Sequence, residues 1–465
     1  MLSSKLAHAP IRRSLIAIHA LAIGIFAALS AVLYGGQMDR VPPDVIAAGW
    51  ITAAAVAVLS IGLALMPGTL WLELIYGTRR LAPYVLAASL AACYAATMSW
   101  ALWEPAAKLT FHLVRLILSP FVQNMIVQPA IRRVGTPRFT VRISPECSGL
   151  EGLALLLVFG LLWLVLFRDE IRFPASLLLL PAGALILFLL NAVRIAALVL
   201  IGHAGAPEIA AGGFHSQAGW IAFSCVAFGL SIGARRVPWF VKPAPEREPS
   251  VDAVDNPTAA YLVPFLMILA AGFLSRAASG SFEWLYSLRF FAALIALWVF
   301  RRRYVGIDWR CGWLGPLAGA IVFFLWIALD RLTIAVPGSN QMPTALATAP
   351  QGARILWITL RVAAAAVTVP IAEELAFRGY LLRRFVSVDF ENVSFRTFTW
   401  FSLFGSSVLF GLLHGRRWVA GAAAGALYAT VSLRTGKLGE AVVAHATTNA
   451  FLAAFVLVFQ KWSLW

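Results

Sequence analysis

The feature that most constrains this chain is a series of long apolar runs that continues from one end to the other. Spanning the hydrocarbon core of a bilayer takes about 20 mostly apolar residues, and about thirteen runs approach that length. They lie at 14–35, 46–66, 81–103, 149–167, 173–201, 216–234, 260–276, 284–300, 312–330, 355–374, 397–413, 418–433 and 438–459. These runs predict membrane-spanning helices, since a helix satisfies its own backbone hydrogen bonds in lipid.

The composition agrees with a membrane protein. Of the 465 residues, 61% are hydrophobic and only 12% are charged, whereas a soluble chain carries about 25% charged residues. A transmembrane barrel would need alternating segments of about ten residues, and the chain has none. We therefore expect an all-α fold, a polytopic transmembrane helical bundle.

The net charge of +16 first raises the question of nucleic-acid binding. The basic residues lie mainly in short loops beside the apolar runs, as at Arg79 and Arg80, Arg301 to Arg303, and Arg383 and Arg384. Basic residues in short loops are the positive-inside pattern of cytoplasmic loops. We therefore expect contact with membrane lipid and no nucleic-acid partner.

Residues 235–257 form the one clear break in composition, being rich in proline and charge without apolar periodicity. Such a stretch is typical of an extended linker. We predict a membrane domain at 1–240, a linker at 241–257 and a second membrane domain at 258–465. The halves share no visible repeat, so an inverted-repeat transporter is not indicated.

The chain has four cysteines, of which only Cys147 lies in a polar setting. Cys93 and Cys225 lie inside apolar runs, where a cysteine is usually an inert hydrophobe. Cys311 follows a basic loop and has no neighbouring acid–base group. No CxxC spacing occurs, so neither zinc nor a disulfide framework is indicated.

The charge rule places the N-terminus inside, and the first three spans then lead to a long external segment at 104–148. Cys147 and His215 then both precede spans that start at the outer face. Arg194 lies about seven residues, or roughly 10 Å, below that face. If 105–128 crossed the membrane instead, the earlier spans would invert.

These three residue types suit nucleophilic chemistry. A helix N-terminus stabilises the thiolate that makes Cys147 a nucleophile, His215 can act as acid and base, and Arg194 can stabilise an oxyanion. An arginine inside a span is a functional hypothesis by default. The plainer alternatives are a small cysteine at a helix start, a snorkelling arginine and a histidine that fills a loop.

The runs around these residues resemble the exosortase family: Glu146-Cys147-Ser148-Gly149-Leu150, Asn191-Ala192-Val193-Arg194 and Phe214-His215-Ser216-Gln217-Ala218-Gly219. The resemblance covers roughly 80–235. It implies an outward-facing, transpeptidase-like enzyme of the bacterial inner membrane. Its partners would be exported proteins with a C-terminal sorting signal, and its catalytic residues Cys147, Arg194 and His215.

The second half carries another polar constellation within apolar sequence. Glu373 and Glu374 end one apolar run, and Arg378 shares a helix face with Glu374 because it lies four residues later. His414 ends the run at 397–413, and the pair His445 and Asn449 lies inside the last run. A carboxylate with a histidine can activate water, and a second histidine with an asparagine can stabilise an oxyanion.

Other interpretations of these residues stay open. They can form an interfacial charge cluster, helix–helix contacts or the polar positions of a transporter. We expect no cofactor. A divalent metal at Glu373, His414 and His445 is the alternative, although the HExxH spacing of metalloproteases is absent. Arg383 and Arg384 place the Glu-Glu end inside, so the run at 397–413 either re-enters or the residues meet within the membrane.

The order EExxxR, FxxxH and HxxxN resembles the CPBP family, also called the CAAX protease and bacteriocin-processing family, over roughly 355–460. The resemblance implies that Glu373 and His414 activate water, that Glu374 and Arg378 organise the site, and that His445 and Asn449 hold the oxyanion. Both resemblances in one chain look like the fused exosortase E/protease type. They imply two membrane peptidases in one polypeptide of the bacterial cytoplasmic membrane; the alternative is a transporter or a non-catalytic scaffold.

Overall fold

The protein was studied as a computed structural model. It describes residues 12–34, 42–79, 82–144, 147, 149–242, 256–330 and 342–465. Most of the predicted linker, residues 243–255, lies outside the described residues. Residues 145, 146 and 148, which flank Cys147, lie outside them as well.

Helices dominate the described chain, as the apolar runs predict. In order they are α1 (Arg13–Tyr34), α2 (Pro43–Leu65), α3 (Gly68–Thr78), α4 (Ala82–Leu118), α5 (Leu150–Leu166), α6 (Leu179–His203), α7 (His215–Arg236), α8 (Pro257–Ala277), α9 (Leu288–Val299), α10 (Leu314–Asp330), α11 (Gln351–Arg384), α12 (Trp400–Leu412), α13 (Trp418–Thr435) and α14 (Leu438–Phe459). Short helical turns link several of them, among them Pro207–Ile209, Ala210–Phe214, Trp284–Ser287, Arg301–Tyr304, Thr344–Ala347 and Gly415–Arg417.

The predicted fold class is confirmed. Within the described residues, 7 helices or continuous helical stretches are long and apolar enough to cross a membrane, and α5, α10, α12 and the stretch Trp284–Val299 are shorter apolar helices. Every predicted apolar run coincides with one of the helices α1 to α14, α3 alone having no counterpart among the runs.

One predicted boundary differs from the structure. The run at 81–103 was expected to end before an external segment, but α4 continues without a break from Ala82 to Leu118. Phe111, Val114 and Leu118 form a buried apolar stripe on this extension, at the three- and four-residue spacing of one helix face. The extension therefore belongs to the packed core near Cys147.

A small antiparallel sheet follows α4, and the sequence analysis did not expect strands here. Its order is β1 (Ile126–Gln128), β2 (Arg133–Gly135) and β3 (Thr140–Arg142). Val134 of β2 and Ile143 after β3 are buried in the same cluster as Cys147 and Ile195 of α6. The sheet thus holds the chain that leads to Cys147 against α4 and α6.

The residue contacts divide the chain into two compact units, Met1–Ser99 and Trp100–Trp465. In the first unit, α1 and α2 pack together, and His19 Nδ1 lies 2.8 Å from the carbonyl oxygen of Ala57. Trp50 Nε1 donates to Ser30 Oγ at 2.8 Å. The domain boundaries predicted at 240 and 258 stay predictions.

In the second unit, the π-helical turn Ala210–Phe214 packs against the end of α8. The backbone N–H of Gly213 donates to the carbonyl oxygen of Ser279 at 3.1 Å. A Cβ atom on Gly213 would lie 1.7 Å from the carbonyl oxygen of Arg276, so only glycine fits. The backbone two residues before His215 is therefore fixed by a helix from the other side of the predicted linker.

The core around α11 is built from aromatic and small residues. Phe377 of α11 packs edge to face on Phe410 of α12, with ring centroids 5.2 Å apart. Glu440 of α14 accepts hydrogen bonds from the N–H groups of Gly312 at 2.7 Å and Gly315 at 2.8 Å. These contacts tie α10, α11, α12 and α14 into the bundle that holds the second polar constellation.

Candidate active sites

Cys147 lies in the turn that leads into α5 and is only 4% exposed. Its backbone N–H donates to the carbonyl oxygen of Ser144 at 3.0 Å, and Ser144 Oγ donates to Cys147 Sγ at 3.7 Å. Gly149 caps α5 with φ of 81°, where a side chain is strained, and a Cβ there would lie 2.8 Å from Asn191 Nδ2. The glycine lets α6 approach the turn that carries the thiol.

Arg194 of α6 reaches the start of α7. Its Nη2 donates to the carbonyl oxygen of His215 at 2.6 Å and lies 3.5 Å from His215 Nδ1. Its Nη1 donates to Asn191 Oδ1 at 3.1 Å. The Nε of Arg194 is buried and has no hydrogen-bond partner among the described residues, so one donor of the guanidinium is available for a further acceptor.

Asn191 joins these groups, and the sequence analysis did not assign it a role. Its Nδ2 donates to the carbonyl oxygen of Cys147 at 2.9 Å, while its Oδ1 accepts from Arg194. The signal was present in the sequence: a polar amide one helical turn before Arg194, inside an apolar run, is costly in lipid and marks function. The structure therefore links Cys147, Asn191, Arg194 and His215 in one network.

A cavity of about 150 Å³ opens beside this network, between α5, α6 and α7. Asn191 and Arg194 line it, together with Gly149, Glu151 and Ser216. A polar cavity between apolar helices is a place where a peptide backbone can be bound out of lipid.

The second constellation lies on α11, which runs for 34 residues from Gln351 to Arg384. Glu373 and Glu374 therefore lie inside a helix, not at the end of a span as the apolar run indicated. Two π-helical segments, Ala364–Thr368 and Leu375–Leu381, flank the pair. Such segments are frequent at functional sites, and each changes the direction of the following side chains.

Glu374 is fully buried and binds two partners. Its Oε1 accepts from Arg378 Nη1 at 3.0 Å and from His445 Nδ1 at 2.9 Å. Arg378 Nη2 donates to the carbonyl oxygen of Gly425 at 2.9 Å, and its guanidinium lies 4.4 Å from the ring centre of Phe410. Glu374 and Arg378 thus orient His445 and tie α11 to α13 and α14.

Glu373, His414, His445 and Asn449 line a single cavity of about 250 Å³. The Oε2 of Glu373 is buried and has no hydrogen-bond partner among the described residues. His414 Nδ1 donates to the carbonyl oxygen of Phe410 at 3.0 Å, which leaves Nε2 as an acceptor. Asn449 Nδ2 donates one hydrogen to the carbonyl oxygen of Ala365 at 2.8 Å, which leaves its second N–H.

The helix α12 has 13 residues and spans about 20 Å, less than the roughly 30 Å of a hydrocarbon core. His414 lies two residues after the end of this helix and lines the same cavity as Glu373. The two arrangements left open by the sequence, a re-entrant run at 397–413 and a meeting of the residues within the membrane, stay predictions.

Residues outside the predicted set also belong to this site. The ring of Tyr428 stacks on His445 with centroids 5.0 Å apart and an interplanar angle of 18°, and its hydroxyl donates to Thr448 Oγ1 at 2.8 Å. Arg361 lines the same cavity. A charged residue inside the predicted span 355–374 was a signal that the sequence analysis left unused.

The carboxylate and imidazole groups of the site are residue types that also bind divalent metal ions. Among the residues that the structure describes, no group of three or more His, Cys, Asp or Glu side chains is arranged to hold a metal ion. The carboxylate and imidazole groups of this site can also carry out acid–base chemistry with water, for which no metal is required.

Comparison with known families gives two matches. Residues 2–232 match the transmembrane exosortase family, and residues 355–451 match the type II CAAX prenyl endopeptidase Rce1-like family. No curated protein and no solved structure matches the chain. The matches and the apolar helices make this a multi-pass membrane protein with peptidase or transpeptidase function. The chain therefore combines, in one polypeptide, a region at 2–232 that is similar to the transmembrane exosortases with a region at 355–451 that is similar to the Rce1-like CAAX endopeptidases.

Proposed function

We propose that the chain carries two peptide-cleaving sites with different chemistry, a cysteine site in the first half and a glutamate–histidine site in the second. The observation that carries the proposal is the single cavity lined by Glu373, His414, His445 and Asn449. The Arg194–His215 contact and its link to Cys147 through Asn191 support the first site.

In the second half, a water molecule is held between Glu373 and Nε2 of His414. Glu373 takes a proton from this water, and the resulting hydroxide attacks the peptide carbonyl. The free N–H of Asn449 and the imidazole of His445 stabilise the oxyanion. The carboxylate of Glu374, at 2.9 Å from His445 Nδ1, orients that ring. The proton on Glu373 then passes to the leaving amine.

In the first half, the thiolate of Cys147 attacks a peptide carbonyl in the C-terminal sorting signal of an exported protein. The C–N bond breaks, the C-terminal tail leaves as an amine with a proton from His215, and a thioester remains on Cys147. Arg194 stabilises the oxyanion with its unpaired donor. Water or an acceptor amine then releases the product. The enzyme acts in the bacterial cytoplasmic membrane and needs no resident cofactor in either half.

A thioester trap tests the first chemistry directly. Hydroxylamine added to membranes that contain the protein and a sorting-signal reporter should release the reporter with a C-terminal hydroxamate, because hydroxylamine attacks a thioester in place of water. We expect this mass in the wild type and in Cys225→Ala, whose exposed thiol makes it the matched control, and not in Cys147→Ala. A hydroxamate formed by Cys147→Ala would place the nucleophile elsewhere.

A further inference from the structure

Arg361 lies on the same face of α11 as Glu373. Residues 361, 365, 369 and 373 follow one another at intervals of four, and all of them line the 250 Å³ cavity. Residues four apart project from one side of a helix. Arg361 and Glu373 therefore mark two positions along one wall of the cavity.

The guanidinium of Arg361 is held in a cage of aromatic rings. Its central carbon lies 4.1 Å from the ring centre of Tyr286, 4.9 Å from that of Trp465 and 5.3 Å from that of Trp357. Stacking on ring faces fixes the plane of a guanidinium and leaves its N–H groups at the edge. The cage thus orients the side chain without using its hydrogen-bond donors.

An acidic residue beside the cage is already paired. The backbone carbonyl of Glu283 accepts from Trp357 Nε1 at 3.0 Å, and its Oε1 accepts from Arg289 Nη2 at 2.6 Å. The guanidinium of Arg289 lies 4.4 Å from the ring centre of Tyr286, the ring that Arg361 also contacts. Within the described residues, no carboxylate forms an ion pair with Arg361 and no acceptor receives its hydrogen bonds. An arginine inside a membrane helix that has no counter-ion among the described residues is a functional position by default.

An oriented guanidinium at a cavity wall recognises a planar anion with two oxygens, since its paired N–H groups match a carboxylate. The substrate of the proposed protease is a peptide, and a peptide offers such a group at its C-terminus or on an acidic side chain. Arg361 and Glu373 are about twelve residues apart, or about 18 Å along a helix. Extended peptide spans about 3.3–3.6 Å per residue, so this distance corresponds to about five residues.

We propose that Arg361 binds a carboxylate of the peptide substrate, about five residues from the bond that is hydrolysed at Glu373. This inference rests on the proposed function of the second half. The cavity would then favour peptides that carry a carboxylate at this distance from the bond to be cleaved. Binding of the carboxylate to Arg361 would place that bond beside the water-activating groups.

Binding tests the proposal separately from hydrolysis. The full-length Glu373→Gln protein in detergent would be titrated with a fluorescent apolar decapeptide that ends either in a free carboxylate or in an amide, with fluorescence anisotropy as the readout. We expect the acid to bind at least about 10-fold tighter than the amide, in line with one charge-assisted, bidentate contact. In Glu373→Gln/Arg361→Gln the two peptides should bind alike, and Arg361→Lys should keep part of the preference.

The matched control is Arg354→Gln, on the same helix, because Arg354 donates to the carbonyl oxygen of Ala347 and does not line the cavity. A third peptide, the amide with one aspartate near its C-terminus, separates the two sources of carboxylate. Tight binding of this peptide supports a side-chain carboxylate, and tight binding of the acid alone supports the C-terminal one. Equal binding of all three to the Arg361-containing protein overturns the proposal. Preference for an acid without any hydrolysis by the wild type would instead reject the proposed protease chemistry and leave the Arg361 site standing.

Discussion

Replacing Glu373 with glutamine is expected to slow peptide hydrolysis by the second half by about 10²–10⁴-fold, the usual contribution of a general base. Glutamine keeps the size of the side chain and removes its ability to accept a proton. The Oε2 of Glu373 has no partner among the described residues, so no ion pair is lost and the fold should be kept. The measurement is the initial rate of cleavage of a fluorogenic peptide by the purified full-length protein.

The control for this substitution is Glu391→Gln, an exposed carboxylate in the segment between α11 and α12, which should cleave at the wild-type rate. Thermal unfolding of Glu373→Gln in the same detergent should match that of the wild type. A Glu373→Gln protein that cleaves normally would mean that another group activates water, and His414 or His445 would then be the base.

Replacing Arg378 with methionine is expected to destabilise the second half by about 3–5 kcal/mol, because it leaves a buried carboxylate without its cationic partner. Arg378 is 2% exposed and Glu374 is 0% exposed, so water cannot replace the lost contact. The measurement is the midpoint of thermal unfolding in detergent, with the exposed Arg416→Met as the control.

The double substitution Glu374→Leu/Arg378→Met separates stability from positioning. Replacing both members of a buried pair with apolar residues is often close to neutral, so most of the lost stability should return. Peptide hydrolysis should stay low, because His445 Nδ1 has lost the carboxylate that orients it. Recovery of both stability and activity in the double variant would show that Glu374 has no part in positioning His445.

The helices and the polar positions of this protein were readable from its sequence because lipid imposes strict rules on both. Long apolar runs had to become helices, and the spacing of Glu374 and Arg378 placed them on one face, where the structure has their ion pair. The same rules pointed to Arg194, a charged residue within a span. Residue type and helical spacing are local properties of the sequence, so they can be recognised without knowledge of how the helices pack.

What the sequence did not reveal depends on contacts between distant segments. The sheet at 126–142 is made of three strands of only 3 residues each, too short for an alternating pattern to be recognised. The continuation of α4 to Leu118 depends on Phe111 and Val114 packing under that sheet. The shared cavity of His414 and Glu373 depends on how α11, α12 and α14 pack together, which the apolar runs do not show.

Asn191 and Arg361 illustrate a different limit. Each is a polar residue inside an apolar run, and the sequence alone does not show what it contacts. In the structure, Asn191 joins the backbone of Cys147 to Arg194, and Arg361 lies in an aromatic cage within the cavity of Glu373. Cys147 lies 44 residues from Asn191 along the chain, and Tyr286 lies 75 residues from Arg361.

The most direct test of two chemistries in one chain is the size of a secreted reporter that carries a candidate C-terminal sorting signal. It would be followed by immunoblot during co-expression with the wild type, Cys147→Ala or Glu373→Gln. We predict that the wild type shortens the reporter and that Cys147→Ala leaves it at full length. The Glu373→Gln lane then shows whether the second site acts on the same chain. Shortening that persists in Cys147→Ala and disappears in Glu373→Gln would contradict a cysteine enzyme in the first half and assign the cleavage to the glutamate site.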